Sequence, residues 1–284
     1  MKTTISKVTI AAMTLAAAVT AQGGAAITVK GSDTLVIQAQ KWAEVYMGKK
    51  SDVKIQVTGG GTGTGFAALQ NQTTDLCNAS RKIRAAEIAE CIKSFGRRPT
   101  EYKVCLDGLT VFVNESNPVK ELSLDQLMQI FTGKTKNWKE VGGPDAPITL
   151  YSRENSSGTY EFFKEHVLQG RDFAARAQTM PGTAALLQAV AKDKNAIGYG
   201  GAAYAAGAKG LAIKKTESSP AISVTEETVV KGTYPIWRYL YVYIDPSLDK
   251  GDVAAYISWI RSDEGQKEVK EIGYFPLPAH LREK

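Results

Sequence analysis

The stretch ITVKGSDTLVIQAQKWAEVYMG, residues 27–48, decides the fold class. It begins as a short apolar strand and passes through glycine and small hydroxyl residues at 31–34. It then continues with Leu35, Ala39 and Trp42 at helical spacing. A strand that runs through glycine into an amphipathic helix is the repeating unit of α/β proteins, and further strands and helices alternate along the chain. The sequence therefore predicts an α/β fold.

The same strand-to-helix junction recurs along the chain. The four junctions are GSDT at 31–34, GTGT at 61–64, Ser80-Arg81 and SSGT at 156–159. Serine and threonine are the preferred helix caps, and capping alone is sufficient to explain any single junction. Together, however, four helix N-termini would present unpaired N–H groups and partial positive charge. Arg81 and Arg153 add forked donors that match a tetrahedral oxyanion, so the set predicts an anion site.

Three helix boundaries follow from the same patterns. A helix is expected to begin at Ser80-Arg81, and another is expected over 66–72 after the glycine-rich segment. The apolar face over 253–272 predicts one long helix near the end of the chain.

The charge balance narrows the partners. The 284 residues include 35 basic and 29 acidic side chains, a formal charge of +6, which suits nucleic acid, an anionic membrane or a small anion. Lysine and arginine are scattered in short pairs such as Lys49-Lys50 and Arg97-Arg98, without a continuous stripe. We therefore expect no nucleic-acid partner.

Motifs for chemistry are missing from the sequence. Residues 59–65 fit neither a Walker A loop nor a dinucleotide-binding loop, and no HExxH or GxSxG motif occurs. His166 and His280, the two histidines, are expected at the surface. No catalytic residue, metal site or cofactor is predicted, and the protein is expected not to be an enzyme.

The N-terminal segment has the pattern of a secretory signal peptide. Lys2 and Lys7 precede an alanine-rich apolar run that ends with small residues at Val19-Thr20-Ala21. We predict cleavage after residue 21, export to the periplasm and a soluble mature protein, because no later stretch approaches the length of a membrane span.

Export affects the interpretation of the cysteines Cys77, Cys91 and Cys105. Three cysteines cannot all pair within one chain. Either Cys91 and Cys105 form a disulfide and Cys77 is buried, or the thiols are free and structural. Their spacing does not suit a metal.

Several segments, in order along the chain, resemble one known family. They are GSDTL at 31–35, GGGTGTG at 59–65, DLCNASR at 75–81, DGLTVFVN at 107–114, RENSSGTYEFF at 153–163 and NAIGYGG at 195–201. In this combination they resemble periplasmic phosphate-binding proteins, the substrate-binding component of high-affinity phosphate ABC transporters. The resemblance covers about residues 27–280.

The resemblance implies a two-lobed periplasmic-binding-protein fold of type II-like topology, with the ligand cleft between the lobes. Two strands cross between the lobes in that fold, and the long apolar segments near 106–114 and 237–244 lie where they are expected. Lobe one would comprise residues 22–108 plus 236–284, and lobe two residues 109–235.

The resemblance also implies the ligand contacts. Thr34 would donate its hydroxyl and Leu35 its backbone N–H, whereas Thr62 and Ser80 would supply two further hydroxyls. The remaining matches to the family's arginine and Ser-Gly-Thr donors are Arg153, Ser157, Gly158 and Thr159.

One position departs from the family pattern. Well-described members have an aspartate directly after the equivalent of Ser80, where it accepts the proton of hydrogen phosphate, but this chain has Arg81. Asp107 is our first choice for the missing carboxylate and Asp33 the second. Alternatively, Asp107 forms a salt bridge with Arg81 and orients it.

The predicted function is therefore high-affinity binding of inorganic phosphate and its delivery, by a monomer, to an inner-membrane ABC permease complex. Two alternatives remain. One is a receptor for another oxyanion, namely sulfate, molybdate or arsenate. The other, less favoured, is a secreted phosphate-ester hydrolase, for which the sequence offers no convincing nucleophile or metal cluster.

Overall fold

The computed structural model describes residues 26–204 and 207–282. The predicted signal peptide, residues 1–21, lies outside the described residues. The strands are β1 (Ile27–Gly31), β2 (Ile55–Thr58), β3 (Leu76–Ala79), β4 (Thr100–Val113), β5 (Glu121–Ser123), β6 (Thr149–Arg153), β7 (Gln178–Met180), β8 (Ala196–Gly201), β9 (Lys209–Gly210), β10 (Ala212–Lys214), β11 (Ala221–Ile222) and β12 (Trp237–Ile244).

Helices alternate with these strands, as the sequence predicts for an α/β protein. They are α1 (Asp33–Lys49), α2 (Thr62–Gln70), α3 (Ala85–Phe95), α4 (Leu124–Phe131), α5 (Gly158–His166), α6 (Gly182–Lys192), α7 (Glu226–Val230), α8 (Gly251–Arg261) and α9 (Asp263–Ile272). In the part of the chain that the structure describes, no helix has the length and apolar character needed to cross a membrane.

One mixed sheet runs through the described part of the molecule, in the order β2-β1-β3-β12-β4-β8-β6-β7, with β9 also paired to β4. The pairs β1–β2, β1–β3 and β6–β8 are parallel, whereas β12 is antiparallel to both β3 and β4. A smaller sheet has the order β11-β10-β5.

Strand β4 joins the two halves of the large sheet without a loop. Its residues 100–108 pair with β12, and its residues 109–113 pair with β8. One large core, which includes Trp42 and Tyr256, lies on the β12 side, and another, which includes Phe131 and Tyr199, lies on the β8 side. The parallel strands of both halves end where α1, α2 and α5 begin, which places several helix N-termini near one another.

Two helix boundaries differ from the sequence predictions. The helix expected at Ser80-Arg81 begins at Ala85, because Glu87 accepts the Arg84 N–H at 2.8 Å and so caps the helix four residues later. In the other case, α2 begins at Thr62, within the glycine-rich segment and ahead of the predicted start at 66.

The predicted single helix over 253–272 is two helices. Ser262 is extended between α8 and α9, and its hydroxyl accepts the Gly265 N–H at 3.3 Å. Serine followed by two acidic residues is a strong helix start, which favours a new helix over continuation of α8.

The three cysteines are free and buried in the structure, which agrees with the alternative of structural thiols. Burial raises the pKa of the Cys77 and Cys105 thiols well above its ordinary value and the pKa of Cys91 to about 11. A raised pKa leaves little reactive thiolate at mildly alkaline pH.

We therefore expect native protein to react slowly with a thiol reagent at mildly alkaline pH. In denatured protein that has not been exposed to a reductant, all three thiols should react. Colourimetric thiol titration measures both quantities. Recovery of a single thiol after denaturation would instead indicate a Cys91–Cys105 disulfide.

Candidate anion-binding site

Four buried hydroxyl groups meet where the two halves of the sheet face each other. Thr34 and Thr159 lie with their hydroxyl oxygens 2.7 Å apart, and those of Thr62 and Ser80 lie 3.2 Å apart. Thr159 Oγ1 also donates to Ser80 Oγ at 3.4 Å, which links the two pairs. All four residues are almost fully inaccessible to solvent. We call Thr34, Thr62, Ser80 and Thr159 the hydroxyl cluster.

Helix N-termini supply three of these hydroxyls. Thr34 lies in the first turn of α1, Thr62 is the first residue of α2, and Thr159 lies in the first turn of α5. Ser80 follows β3 directly. Helix N-termini carry partial positive charge and N–H groups outside the intrahelical hydrogen bonds, so their convergence favours an anion at the cluster.

Gly158 allows the helix starts to approach this closely. A Cβ atom at this position would lie 2.4 Å from Thr62 Oγ1 and 2.8 Å from Ser80 Oγ. The start of α5 also contacts the glycine-rich segment directly, since the Gly63 N–H donates to the Ser156 carbonyl at 2.8 Å. Any side chain at 158 would occupy the space of the cluster.

Arg153, at the end of β6, is a buried cation beside the cluster. Its three donor nitrogens contact Asp33 Oδ2 at 2.7 Å, Thr183 Oγ1 at 2.8 Å and Glu154 Oε2 at 3.0 Å. Asp33 also accepts the Gly60 N–H at 2.7 Å through its other oxygen. These contacts fix the guanidinium and connect β6 to α1 and to the glycine-rich segment.

Asp107 pairs with Arg238 in this structure and not with Arg81. Arg238 Nε and Nη2 both donate to Asp107 Oδ2, at 3.0 Å and 2.7 Å, and both side chains are buried. The two residues are direct cross-strand neighbours on β12 and β4. The alternative of a salt bridge between Asp107 and Arg81 is therefore wrong, and the motifs do not identify Arg238. The available signal is that Arg238 is the one charged residue in the otherwise apolar stretch 237–244.

Arg81 is paired with two carboxylates in the structure. Its guanidinium forms two hydrogen bonds with Glu87, at 2.7 Å and 2.8 Å, and a further ion pair with Glu161. Burial opposes the charged form of Arg81, but the two carboxylates outweigh burial and raise its pKa. Burial raises the pKa of Glu161, against the opposing charges of Arg81 and Arg84. Arg81 is therefore engaged with carboxylates, and its contact with the ligand stays a prediction.

Two predicted site residues take part in local hydrogen bonds at the helix starts. The Leu35 N–H donates to the Ser32 carbonyl at 3.1 Å. Ser157 caps α5, where its hydroxyl accepts the Tyr160 N–H at 3.2 Å.

A cavity of about 870 Å³ lies next to the cluster. Its wall includes Trp237, Tyr239 and Tyr241 of β12 and residues of α5, and Arg81 and Arg238 also line it. Arg238 therefore lies between this cavity and the hydroxyl cluster.

Within residues 26–204 and 207–282, no group of three or more histidine, cysteine, aspartate or glutamate side chains is arranged to hold a metal ion. His166 is exposed at the end of α5, where its ring stacks on Phe162. The cluster therefore offers hydroxyl, N–H and guanidinium donors, which suit a small anion.

Comparison with known proteins identifies the family. Residues 16–264 match the model of the PBP superfamily domain. The phosphate-binding protein PstS of Pseudomonas aeruginosa is 34% identical over 270 residues, which cover 89% of this chain and 84% of that protein. The chain belongs to the PstS family of phosphate-binding proteins.

Solved structures of PstS-like proteins have the same fold. A phosphate ABC transporter substrate-binding protein of Clostridium perfringens, solved with bound phosphate, has a TM-score of 0.81 and 28% identity. The match covers 89% of this chain and 100% of that chain. A possible phosphate-binding protein of Planctomyces limnophilus is 32% identical with a TM-score of 0.65, covering 91% of this chain and 95% of that chain. The predicted two-lobed periplasmic-binding-protein fold is confirmed.

Proposed function

We propose that this chain binds inorganic phosphate in the periplasm and delivers it, as a monomer and without catalysis, to an inner-membrane ABC permease complex. The observation that carries the proposal is the hydroxyl cluster, in which buried hydroxyl groups from separate helix starts converge within hydrogen-bond distance of one another. Membership of the PstS family, whose members are named for phosphate binding, supports phosphate as that anion.

The lobe boundaries that we propose place the hydroxyl cluster between the two lobes. We assign residues 22–108 plus 236–284 to lobe one and 109–235 to lobe two. Thr34, Thr62 and Ser80 then belong to lobe one, and Thr159 belongs to lobe two. The contacts of Thr159 with Thr34 and Ser80 would thus cross the cleft, so an anion at the cluster would bind both lobes and favour the closed state.

The ligand contacts in this proposal come from side chains and from helix starts. The hydroxyl cluster and Arg153 supply side-chain donors, and Gly158 and Thr159 supply N–H groups at the start of α5. The N–H groups of Leu35 and Ser157 donate to the Ser32 and Glu154 carbonyls, so they would contact the ligand by sharing these hydrogen bonds. Closure removes water from these donors, and hydrogen bonds to an ion become stronger in a site of low dielectric constant.

Isothermal titration of ligand-free protein tests the function. We expect phosphate to bind with a dissociation constant of about 1 μM or lower, because a buried anion would accept many charge-assisted hydrogen bonds. Sulfate, molybdate and arsenate are titrated in parallel. Tighter binding of any of these would assign the site to another oxyanion.

An assay with phosphate esters, with and without zinc or magnesium, tests the absence of catalysis. We expect no release of phosphate above the uncatalysed rate. Turnover that is lost when the hydroxyl cluster is altered would make the protein a hydrolase and overturn the binding-only proposal.

A further inference from the structure

Arg238 contacts both sides of the hydroxyl cluster. Its Nη1 donates to the Ser80 carbonyl at 3.0 Å, and its Nη2 donates to Thr159 Oγ1 at 3.0 Å. Ser80 follows β3 and Thr159 lies in the first turn of α5, so one guanidinium bridges the two halves at the cluster itself. The Arg238 side chain is only 3% exposed, so these contacts are shielded from water.

A guanidinium has hydrogen-bond donors and no acceptor, whereas a hydroxyl has a single proton. Thr159 Oγ1 must therefore accept from Arg238, which leaves the Thr159 proton for another partner. The same holds for Thr62, because its Oγ1 accepts a hydrogen bond from the Ser80 N–H at 3.1 Å. Nitrogen donors thus occupy one of the two acceptor positions on each hydroxyl and leave its proton to point toward the centre of the cluster.

We propose that Arg238 is a positioning residue of the anion site, which acts by fixing Thr159 as a hydrogen-bond donor to the bound anion. This inference rests on the proposed binding of phosphate. A hydroxyl that already accepts from a guanidinium is polarised, and it donates more strongly to an anion. Because the hydroxyl is oriented before the ligand arrives, little reorganisation is needed on binding.

Asp107 holds Arg238 in this position. Both its oxygens are engaged, Oδ2 by two nitrogens of Arg238 and Oδ1 by the Ala202 N–H at 3.1 Å. The side chain is 0% exposed, so without Arg238 the carboxylate would be a buried, unpaired charge. In this assignment Asp107 acts through Arg238 and Thr159, and it differs from a carboxylate that takes the phosphate proton directly.

A double-mutant cycle in the full mature protein tests the route through Thr159. We expect Arg238→Gln and Thr159→Val each to weaken phosphate binding by about 30-fold, as for loss of one charge-assisted hydrogen bond. The double variant should bind about as weakly as either single variant, because Arg238 has no hydroxyl left to orient. Thr159→Ser keeps the hydroxyl and should keep both near-native affinity and sensitivity to Arg238→Gln.

Two controls separate this effect from a loss of structure. Arg282→Gln removes an arginine that is paired with Asp263, outside the site, and should leave the affinity unchanged. Asp107→Asn, which retains the shape of the side chain and the charge of Arg238, repeats the test if Arg238→Gln does not fold. It should weaken binding by about tenfold in the native background but by less than about twofold beside Thr159→Val.

If the two substitutions instead act independently, the double variant loses affinity by about the product of the two single losses. This outcome would mean that Arg238 acts on the anion through its charge and not through Thr159. That result overturns this inference but leaves phosphate binding intact. If the unaltered protein fails to bind phosphate in the same titrations, the proposed function fails together with the inference.

Discussion

Replacement of Gly158 by alanine is expected to weaken phosphate binding by about 100-fold or more. The new Cβ atom would lie 2.4 Å from Thr62 Oγ1 and 2.9 Å from Thr62 Cβ, well inside van der Waals contact. Relief of this clash must displace the start of α5 or the two hydroxyls of Thr62 and Ser80. The loss of two charge-assisted hydrogen bonds, each worth about 1.5–3 kcal/mol, accounts for the size of the effect.

Gly48→Ala is the matched control for this variant. Gly48 lies in the last turn of α1 with open space around the position of a new Cβ, so alanine should leave binding unchanged. It should also stabilise the helix slightly, by about 0.5–1 kcal/mol. Isothermal titration and thermal unfolding measure both variants. Near-native affinity in Gly158→Ala would show that the cluster is not the phosphate site.

The second large effect is expected for Arg153→Gln, which removes the buried guanidinium. Phosphate affinity should fall by about 100-fold or more, because the variant loses a buried positive charge bonded to Asp33, the residue next to Thr34 of the cluster, together with the contacts that hold it. Asp33 would also lose the partner at 2.7 Å, which should lower the free energy of unfolding by about 1–3 kcal/mol.

Arg153→Lys distinguishes the charge from its geometry. Arg153 uses Nε, Nη1 and Nη2 on three separate partners, and a lysine ammonium cannot reach all three from one point. We expect an affinity between those of the native protein and Arg153→Gln. Equal affinities for the lysine variant and the native protein would show that charge alone is sufficient at this position.

The sequence predicts those site residues that lie in short motifs, and it does not predict contacts between residues far apart in the chain. Thr34, Thr62 and Thr159 lie in glycine- and hydroxyl-rich segments at strand-to-helix junctions, so a local pattern identifies them, and the structure brings them together. Ser80 reaches the same cluster although its junction does not start a helix.

The Asp107–Arg238 pair shows what local patterns cannot supply. The two residues are 131 positions apart and meet only because β12 aligns with β4 in one register. Likewise, the contacts of Arg81 depend on the packing of α5, which places Glu161 beside Glu87. Charge pairing between distant elements depends on strand register and helix packing, and a single sequence records neither directly.

The uninterrupted path of β4 bears on how the two halves can move. The strand changes partner between Gly108 and Leu109, from β12 to β8, one residue after Asp107. Because β4 has no loop, the proposed rotation of the lobes would twist this strand, and the backbone torsion angles at 107–109 are the natural place for that twist. Gly108 is packed against Val224 and Val229 and has no room for a side chain. In the proposed closing motion these residues would lie at the pivot, and they also hold the guanidinium that touches the cluster, so rotation of the lobes would alter the geometry of the anion site.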